Sequence, residues 1–147
     1  YFSKAVQIKP DDAEAHNNLG STLVLQGRFK EAVEYLLKAL RIKPDYAGVH
    51  NNLGVALKKQ GRLKEAVAYF SKAVQIKPDY AEAYNNLGNV LAIQGRRAEA
   101  IEHFSEALRI KPDYATAHYN LGITLKLQGK IKEANIHLLR AQQLTNQ

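Results

Sequence analysis

The feature of this sequence that most constrains its fold is a period of 34 residues. Residues that recur at such a step indicate stacked copies of one supersecondary unit, which bury a continuous core only when several copies lie side by side. We therefore predict one repeat domain. Its copies span residues 13–46, 47–80, 81–114 and 115–147, and residues 1–12 match the second half of a truncated preceding copy. The residues that keep the step are Pro10, Pro44, Pro78 and Pro112; Gly20, Gly54, Gly88 and Gly122; Gly27, Gly61, Gly95 and Gly129; Ala32, Ala66, Ala100 and Ala134; and Ala39, Ala73, Ala107 and Ala141.

Each copy, the third among them, contains the pattern of two helices. Apolar residues at steps of three and four define one face of a first helix over residues 81–94. Asp79 is expected to cap the N-terminus of this helix, with Glu82 completing a capping box. Gly95 is expected to end the helix by adopting the left-handed conformation.

The second helix of the same copy is predicted over residues 98–111, where Pro112 prevents its continuation. Only a few residues join the two helices, so they must pack as an antiparallel pair. Small residues at Gly88, Ala100 and Ala107 allow the two backbones to approach closely. One hairpin cannot bury both of its faces, so the copies stack, and the fold class is all-α.

These landmarks resemble the tetratricopeptide repeat family, whose motif has the same period and an L-G, A-x3-F and P pattern. The resemblance covers essentially the whole chain and implies a right-handed α-solenoid that binds other proteins. The chain departs from the pattern where the family often has Trp and Tyr, but packing side chains stand at both positions. In the third copy the landmarks are Tyr84, Leu87, Gly88, Leu91, Ala100, Phe104, Ala107 and Pro112, and the residues in place of Trp are His16, His50, Tyr84 and His118.

In arrays of this family the first helices line the inside of the curve, so the resemblance implies that their outward-facing residues, here called the inner face, line a peptide-binding groove. This face is rich in asparagine, and it gains lysines in the second and fourth copies. The candidate binding residues are Asn17, Asn18, Asn51, Asn52, Lys58, Lys59, Asn85, Asn86, Asn89, Tyr119, Asn120 and Lys126.

One asparagine stands immediately before Leu-Gly in every copy, and these four residues form what we call the Asn ladder. Asparagine is a mediocre helix former, so its recurrence within a helix calls for a reason. An amide offers donors and an acceptor, and can bind a peptide unit whatever its side chain. The arrangement resembles the asparagine ladder of O-linked N-acetylglucosamine transferases; the alternative is that these amides bond only within the scaffold. The Asn ladder comprises Asn18, Asn52, Asn86 and Asn120.

Chaperone-binding members of the family instead clamp a C-terminal carboxylate with Lys and Arg on the same face. Asparagine mostly occupies those positions here, which argues against such a clamp. Lys58, Lys59 and Lys126 still make part of the inner face basic and favour acidic residues in the ligand.

The two ends of the chain differ in character. Asn135 and Gln142 replace residues that are apolar in the earlier copies, which is typical of a capping repeat and predicts a natural array end at the C-terminus. The N-terminus reads as a cut through a helix. Phe2, Val6 and Ile8 would expose apolar surface there and favour a homo-oligomer through that end.

Other functions find less support in the sequence. The formal net charge is +7, but the cations recur at helix ends and no aromatic residues are interleaved for base stacking, so nucleic-acid binding is not favoured. The histidines are spaced by whole repeats, and no catalytic set, metal site or cofactor motif breaks the repeat at one place. No stretch is long and apolar enough to span a membrane, and the lack of cysteine leaves the compartment undetermined.

We therefore predict a non-catalytic adaptor that binds an extended segment of another protein. Two alternatives stay open: a substrate-recruiting arm of a larger enzyme such as a glycosyltransferase, and a self-assembling scaffold. Replacing Asn52 and Asn86 by alanine is expected to weaken peptide capture while changing stability little.

Overall fold

The structure is a computed structural model that describes residues 11–147, and in that range all regular secondary structure is helical, with no strand. The predicted all-α class is confirmed. The expectations that concern Phe2, Val6 and Ile8 lie outside the described residues. The eight helices are α1 (Ala13–Leu25), α2 (Phe29–Ile42), α3 (Ala47–Lys59), α4 (Leu63–Ile76), α5 (Ala81–Ile93), α6 (Arg97–Ile110), α7 (Ala115–Leu127) and α8 (Ile131–Thr145).

The chain divides into two compact units, unit 1 (Tyr1–Pro78) and unit 2 (Asp79–Gln147). Unit 1 contains α1 to α4 and unit 2 contains α5 to α8. Within each unit every helix packs against the next one along the chain, and the third helix also contacts the first. Each unit is therefore two stacked hairpins, and the division falls at the join between the second and third copies.

The first helix of every repeat ends at a glycine in the left-handed region, as expected for Gly95. The φ angles are 76° at Gly27 and Gly61, 80° at Gly95 and 81° at Gly129. An L side chain rarely adopts this conformation, so glycine allows the short turn into the second helix.

The expected cap at Asp79 is wrong. Tyr80 is the N-cap residue of α5 and makes no side-chain capping bond. Asp79 stands one residue too early for its carboxylate to take the N-cap place. In the first repeat no tyrosine intervenes, and there Asp12 is the N-cap residue and accepts a hydrogen bond from the backbone N–H of Ala15 at 3.1 Å.

The hairpins are held together where a large side chain of the second helix lies over a glycine of the first. A Cβ added at Gly54 would come within 2.5 Å of Phe70 Cε1. One added at Gly88 would lie 2.7 Å from Phe104 Cε1 and 3.1 Å from the carbonyl oxygen of Ala100. Both phenylalanines are buried. The expected close approach at Gly88 is therefore present, and it accommodates both the ring of Phe104 and the backbone at Ala100.

Candidate functional site

The inner face of unit 1 carries asparagines with very different exposure. Asn18 is exposed on α1, and Asn17 and Asn52 are half-buried. Asn51 retains only 1% of its surface. The Asn-Asn doublets of α1 and α3 therefore present one amide outward and turn the other toward the packed side.

A hydrogen bond between side chains links the two repeats of unit 1. Asn52 Nδ2 donates to Asn17 Oδ1 at 2.9 Å, and Asn17 Nδ2 lies 3.5 Å from the hydroxyl oxygen of Tyr46. Tyr46 stands in the turn just before α3. A residue of the Asn ladder is thus oriented by a polar contact to the preceding repeat.

Unit 2 has the same arrangement, made by the equivalent asparagine and tyrosine residues. Asn120 Nδ2 donates to Asn85 Oδ1 at 3.1 Å. The Tyr114 side chain hydrogen-bonds Asn85, while burial and then the charge of Glu82 raise the pKa of the Tyr114 hydroxyl. Asn85 retains only 4% of its surface, whereas Asn120 is half-buried.

The two buried amides, Asn51 and Asn85, were included among the candidate binding residues. Asn85 uses its oxygen to join the two repeats of unit 2, since a buried amide gains most from a partner inside the protein. The more exposed set is Asn17, Asn18, Asn52, Asn86, Asn89 and Asn120.

The amides that join the repeats keep unused hydrogen-bonding capacity. Asn52 and Asn120 each donate one N–H, and an asparagine side chain has a second N–H and a carbonyl oxygen. The Oδ1 atom of Asn89 on α5 is shielded from solvent and has no hydrogen-bond partner among the described residues. The unused donors and acceptors of the inner face are therefore those of Asn52 and Asn120, whereas the shielded Oδ1 atom of Asn89 is not open to a ligand.

The lysines of the inner face differ in environment. Lys59 and Lys126 are exposed at the ends of α3 and α7, and Lys58 is half-buried. Burial, followed by the nearby charge of Lys59, lowers the pKa of the Lys58 ammonium group. A carboxylate placed beside Lys58 would favour its charged form.

Two features of this face were not recognised in the sequence. The first is the role of Tyr46 and Tyr114 as hydrogen-bond partners of Asn17 and Asn85. The second is the exposure of Leu127 at the end of α7. The tyrosine contacts depend on how one repeat stacks on the next, although Asp-Tyr recurs in the sequence before α3, α5 and α7.

The histidines pack as rings between paired helices. His16 stacks on Tyr35 and His118 stacks on His137, with centroids 6.0 Å and 5.3 Å apart. Over residues 11–147, no three His, Cys, Asp or Glu side chains are grouped to hold a metal ion. In the same range, every helix is too short or too polar to cross a bilayer.

Comparisons with known proteins agree with this architecture. Family models described as tetratricopeptide repeats match residues 1–34, 45–113 and 79–147, and a model described as TPR repeat matches residues 20–61. A search of curated proteins gave no match.

Several solved structures are similar over nearly the whole chain. A crystal structure of MamA has a TM-score of 0.88 and 26% identity, covering 99% of this chain and 85% of its own. The structure titled as functional characterization of pilF from Pseudomonas aeruginosa has a TM-score of 0.88 and 28% identity, covering 97% of this chain and 65% of its own. MamA from Desulfovibrio magneticus RS-1 covers 99% of this chain and 82% of its own with a TM-score of 0.86, and its 23% identity shows the fold alone. The chain therefore belongs to the tetratricopeptide repeat family and is a protein–protein interaction scaffold.

Proposed function

We propose that the inner face binds an extended segment of another protein, with the Asn ladder bonding to the peptide backbone of that segment. The observation that carries this proposal is the fixed orientation of Asn52 and Asn120. Each is held by one hydrogen bond to the preceding repeat while its remaining N–H and carbonyl oxygen make no hydrogen bond to any described residue.

Preorganisation is the physical advantage of this arrangement. A free asparagine side chain must lose rotamer freedom when it binds a ligand, which weakens the contact. An amide already held by Asn17 or Asn85 has lost that freedom on folding. Its unused groups then bind at a smaller entropic cost.

The spacing also suits an extended chain. Neighbouring packed helices lie about 8–10 Å apart, and an extended peptide advances roughly 3.3 Å per residue. Within a unit, successive ladder residues would therefore meet about every third peptide unit. Since the amides read backbone groups, the ligand sequence is only weakly restricted at these contacts.

The test uses a displayed library of randomised twelve-residue peptides, selected against the chain, followed by affinity measurements on the recovered peptides. Asn18→Ala removes an exposed ladder amide whose side chain makes no hydrogen bond within residues 11–147, so stability should not change while affinity falls about fivefold. Gln75→Ala on α4 removes an exposed amide from a second helix of the same unit and should leave affinity unchanged.

Methylating the backbone nitrogens of a recovered peptide, one at a time, tests the backbone contact itself. Losses of affinity should recur about every third residue. A scan in which methylation is tolerated everywhere, or in which Asn18→Ala and Gln75→Ala bind equally, would contradict the proposal.

The same measurements separate the two alternatives. A recruiting arm of a larger enzyme would use this surface in the same way, and its peptides would be substrates of that enzyme. A self-assembling scaffold would give a mass that rises with concentration and is unchanged by Asn18→Ala, without recovery of any peptide.

A further inference from the structure

The inner face of α7 differs from that of every other first helix in its exposed apolar surface. Tyr119, Ile123 and Leu127 are 54%, 36% and 64% exposed, and they are separated by four residues each. Residues at this spacing lie on one side of a helix. They form a continuous strip, which we call the α7 strip.

The equivalent positions in the other repeats show that a run of three exposed apolar residues is particular to the fourth one. Tyr119 stands where the earlier repeats have asparagine, and Ile123 stands where they have Ser21, Val55 and Asn89. The position of Leu127 is also apolar and exposed at Leu25 and Ile93. Scattered exposed apolar residues need no explanation, but three in line on one helix mark an interaction surface. Tyrosine adds a rigid, amphipathic contact of the kind enriched at binding sites.

A groove borders the strip at Tyr119 and gives it depth. It has a volume of about 480 Å³ and is lined mainly by apolar surface. Ala115 and Thr116 of α7 form one wall, and Leu138 and Ala141 of α8 form the other. This volume is within the range of small-molecule pockets, so a single bulky side chain fits with room to spare.

The positive charge of Lys126, beside the strip, favours an acidic group in a ligand. Lys126 is exposed next to Leu127, and no Asp or Glu occurs anywhere in α7. No salt bridge to Lys126 is present among the described residues. A carboxylate therefore finds an available cation here and no like charge on the same helix.

We propose that the α7 strip is a specificity subsite for a peptide that presents a bulky apolar side chain close to an acidic residue. The apolar side chain lies against Tyr119 and Ile123 and enters the groove, and the carboxylate pairs with Lys126. The inference rests on the proposed function, because Asn120 on the same helix would hold the backbone of that peptide. It adds to that function the chemical class of the ligand.

The test selects the same randomised peptide library against the wild-type chain and against the triple variant Tyr119→Ser, Ile123→Ser, Leu127→Ser. Wild-type selections should be enriched in peptides with Leu, Ile or Phe near Asp or Glu, and the triple variant should bind those peptides about tenfold or more weakly. Lys126→Glu should reverse the preference from acidic to basic residues.

The matched control is Leu25→Ser, which alters the residue equivalent to Leu127 in the first repeat. Leu25 is 87% exposed, so its replacement changes apolar surface as much as a strip substitution does. It should leave the selected peptides and their affinities unchanged. Because the strip residues are exposed, circular dichroism should show the same helicity for all variants.

The outcomes distinguish the two proposals. Peptides recovered without an apolar or acidic preference, and bound equally by the triple variant, would overturn the α7 subsite and leave backbone binding intact. Recovery of no peptide at all would overturn both. Sedimentation with phosphatidylserine–phosphatidylcholine vesicles that is abolished in the triple variant, with no peptide preference, would assign the strip to a lipid surface instead.

Discussion

The two units join their repeats through the same pair of amides but bury the acceptor to different extents. In unit 1 the acceptor Asn17 is half-buried, and in unit 2 its counterpart Asn85 is nearly covered. The ring pairs differ as well: unit 1 has two His–Tyr pairs, whereas unit 2 has Tyr84 with His103 and His118 with His137.

This comparison shows which parts of a repeat are copied and which are free to change. Three features recur because the spacing of the helices depends on them. They are the glycines of the first helices, the large side chains packed over these glycines, and the hydrogen bond between asparagine side chains of successive repeats. The residues around these contacts vary. The stability of the two units should therefore respond differently to mutation and to pH. Four predictions use this contrast.

The largest effect is expected where both units should respond alike. Gly54→Val in unit 1 and Gly88→Val in unit 2 each place side-chain atoms inside a phenylalanine ring and should lower the free energy of unfolding by about 3 kcal/mol. Urea denaturation followed by circular dichroism measures this. Gly48→Ala, where the new Cβ would be 3.4 Å from Tyr46, should instead raise stability by about 0.5 kcal/mol. A tolerated valine at either site would refute the packing described.

Loss of the hydrogen bond between asparagine side chains should destabilise the two units to different extents. Asn120→Ala leaves the buried oxygen of Asn85 without its donor and should cost about 2 kcal/mol. Asn52→Ala leaves the half-buried oxygen of Asn17 within reach of water and should cost about 1 kcal/mol. Equal losses in urea titrations would show that the burial of the acceptor does not matter.

A smaller difference is expected on acidification. Burial lowers the pKa of His103 and of His137, and the charge of His118 lowers that of His137 further. The unfolded chain then binds more protons than the folded one, so unit 2 should lose stability as pH falls below about 6.5 and level off once both folded-state values are passed.

His137→Tyr restores the ring pair of unit 1 and should flatten this pH dependence. The comparison is the urea midpoint of each protein at pH 7.5 and pH 5.5. A variant that loses as much stability as the wild type between these values would contradict the assignment to His137.

The smallest effect concerns the ion pairs at the start of the second helices. Arg62 in unit 1 and Arg96 in unit 2 each bind a glutamate three residues on, at 2.7 Å, and all four side chains are about half exposed. Such pairs contribute little in water, so Arg62→Lys and Arg96→Lys should each change Tm by less than about 2 °C. A larger shift in either unit would indicate that the pair supports the turn.

The sequence predicted the helices and their turns well because these depend on local spacing. The 34-residue step predicted paired helices, which residues 11–147 contain, and the left-handed conformation of Gly95 followed from the need to end a helix within two residues. The prediction of an N-cap at Asp79 was wrong by one residue. Tyr80 occupies the N-cap position of α5, whereas Asp12 occupies the equivalent position of α1.

The polar contacts of the site were harder to predict because they join residues 35 apart. A separation of 35 is one residue more than the repeat period, and the recurring Asn-Asn doublets place a second amide at that separation. Which amide of a doublet faces the adjacent repeat depends on how the helices stack. For the same reason, the expectation that Asn52→Ala changes stability little is revised, since Asn52 bonds to Asn17. The burial of Asn85 likewise follows from stacking within unit 2.

The most direct test of backbone binding is to observe the amides themselves. In ¹H–¹⁵N spectra of the chain titrated with a recovered peptide, the side-chain NH₂ resonances of Asn18, Asn52 and Asn120 should shift together and saturate, while those of buried Asn51 and Asn85 move little. Saturable binding that shifts none of the three exposed amides, and instead perturbs second-helix residues such as Gln75, would contradict the account.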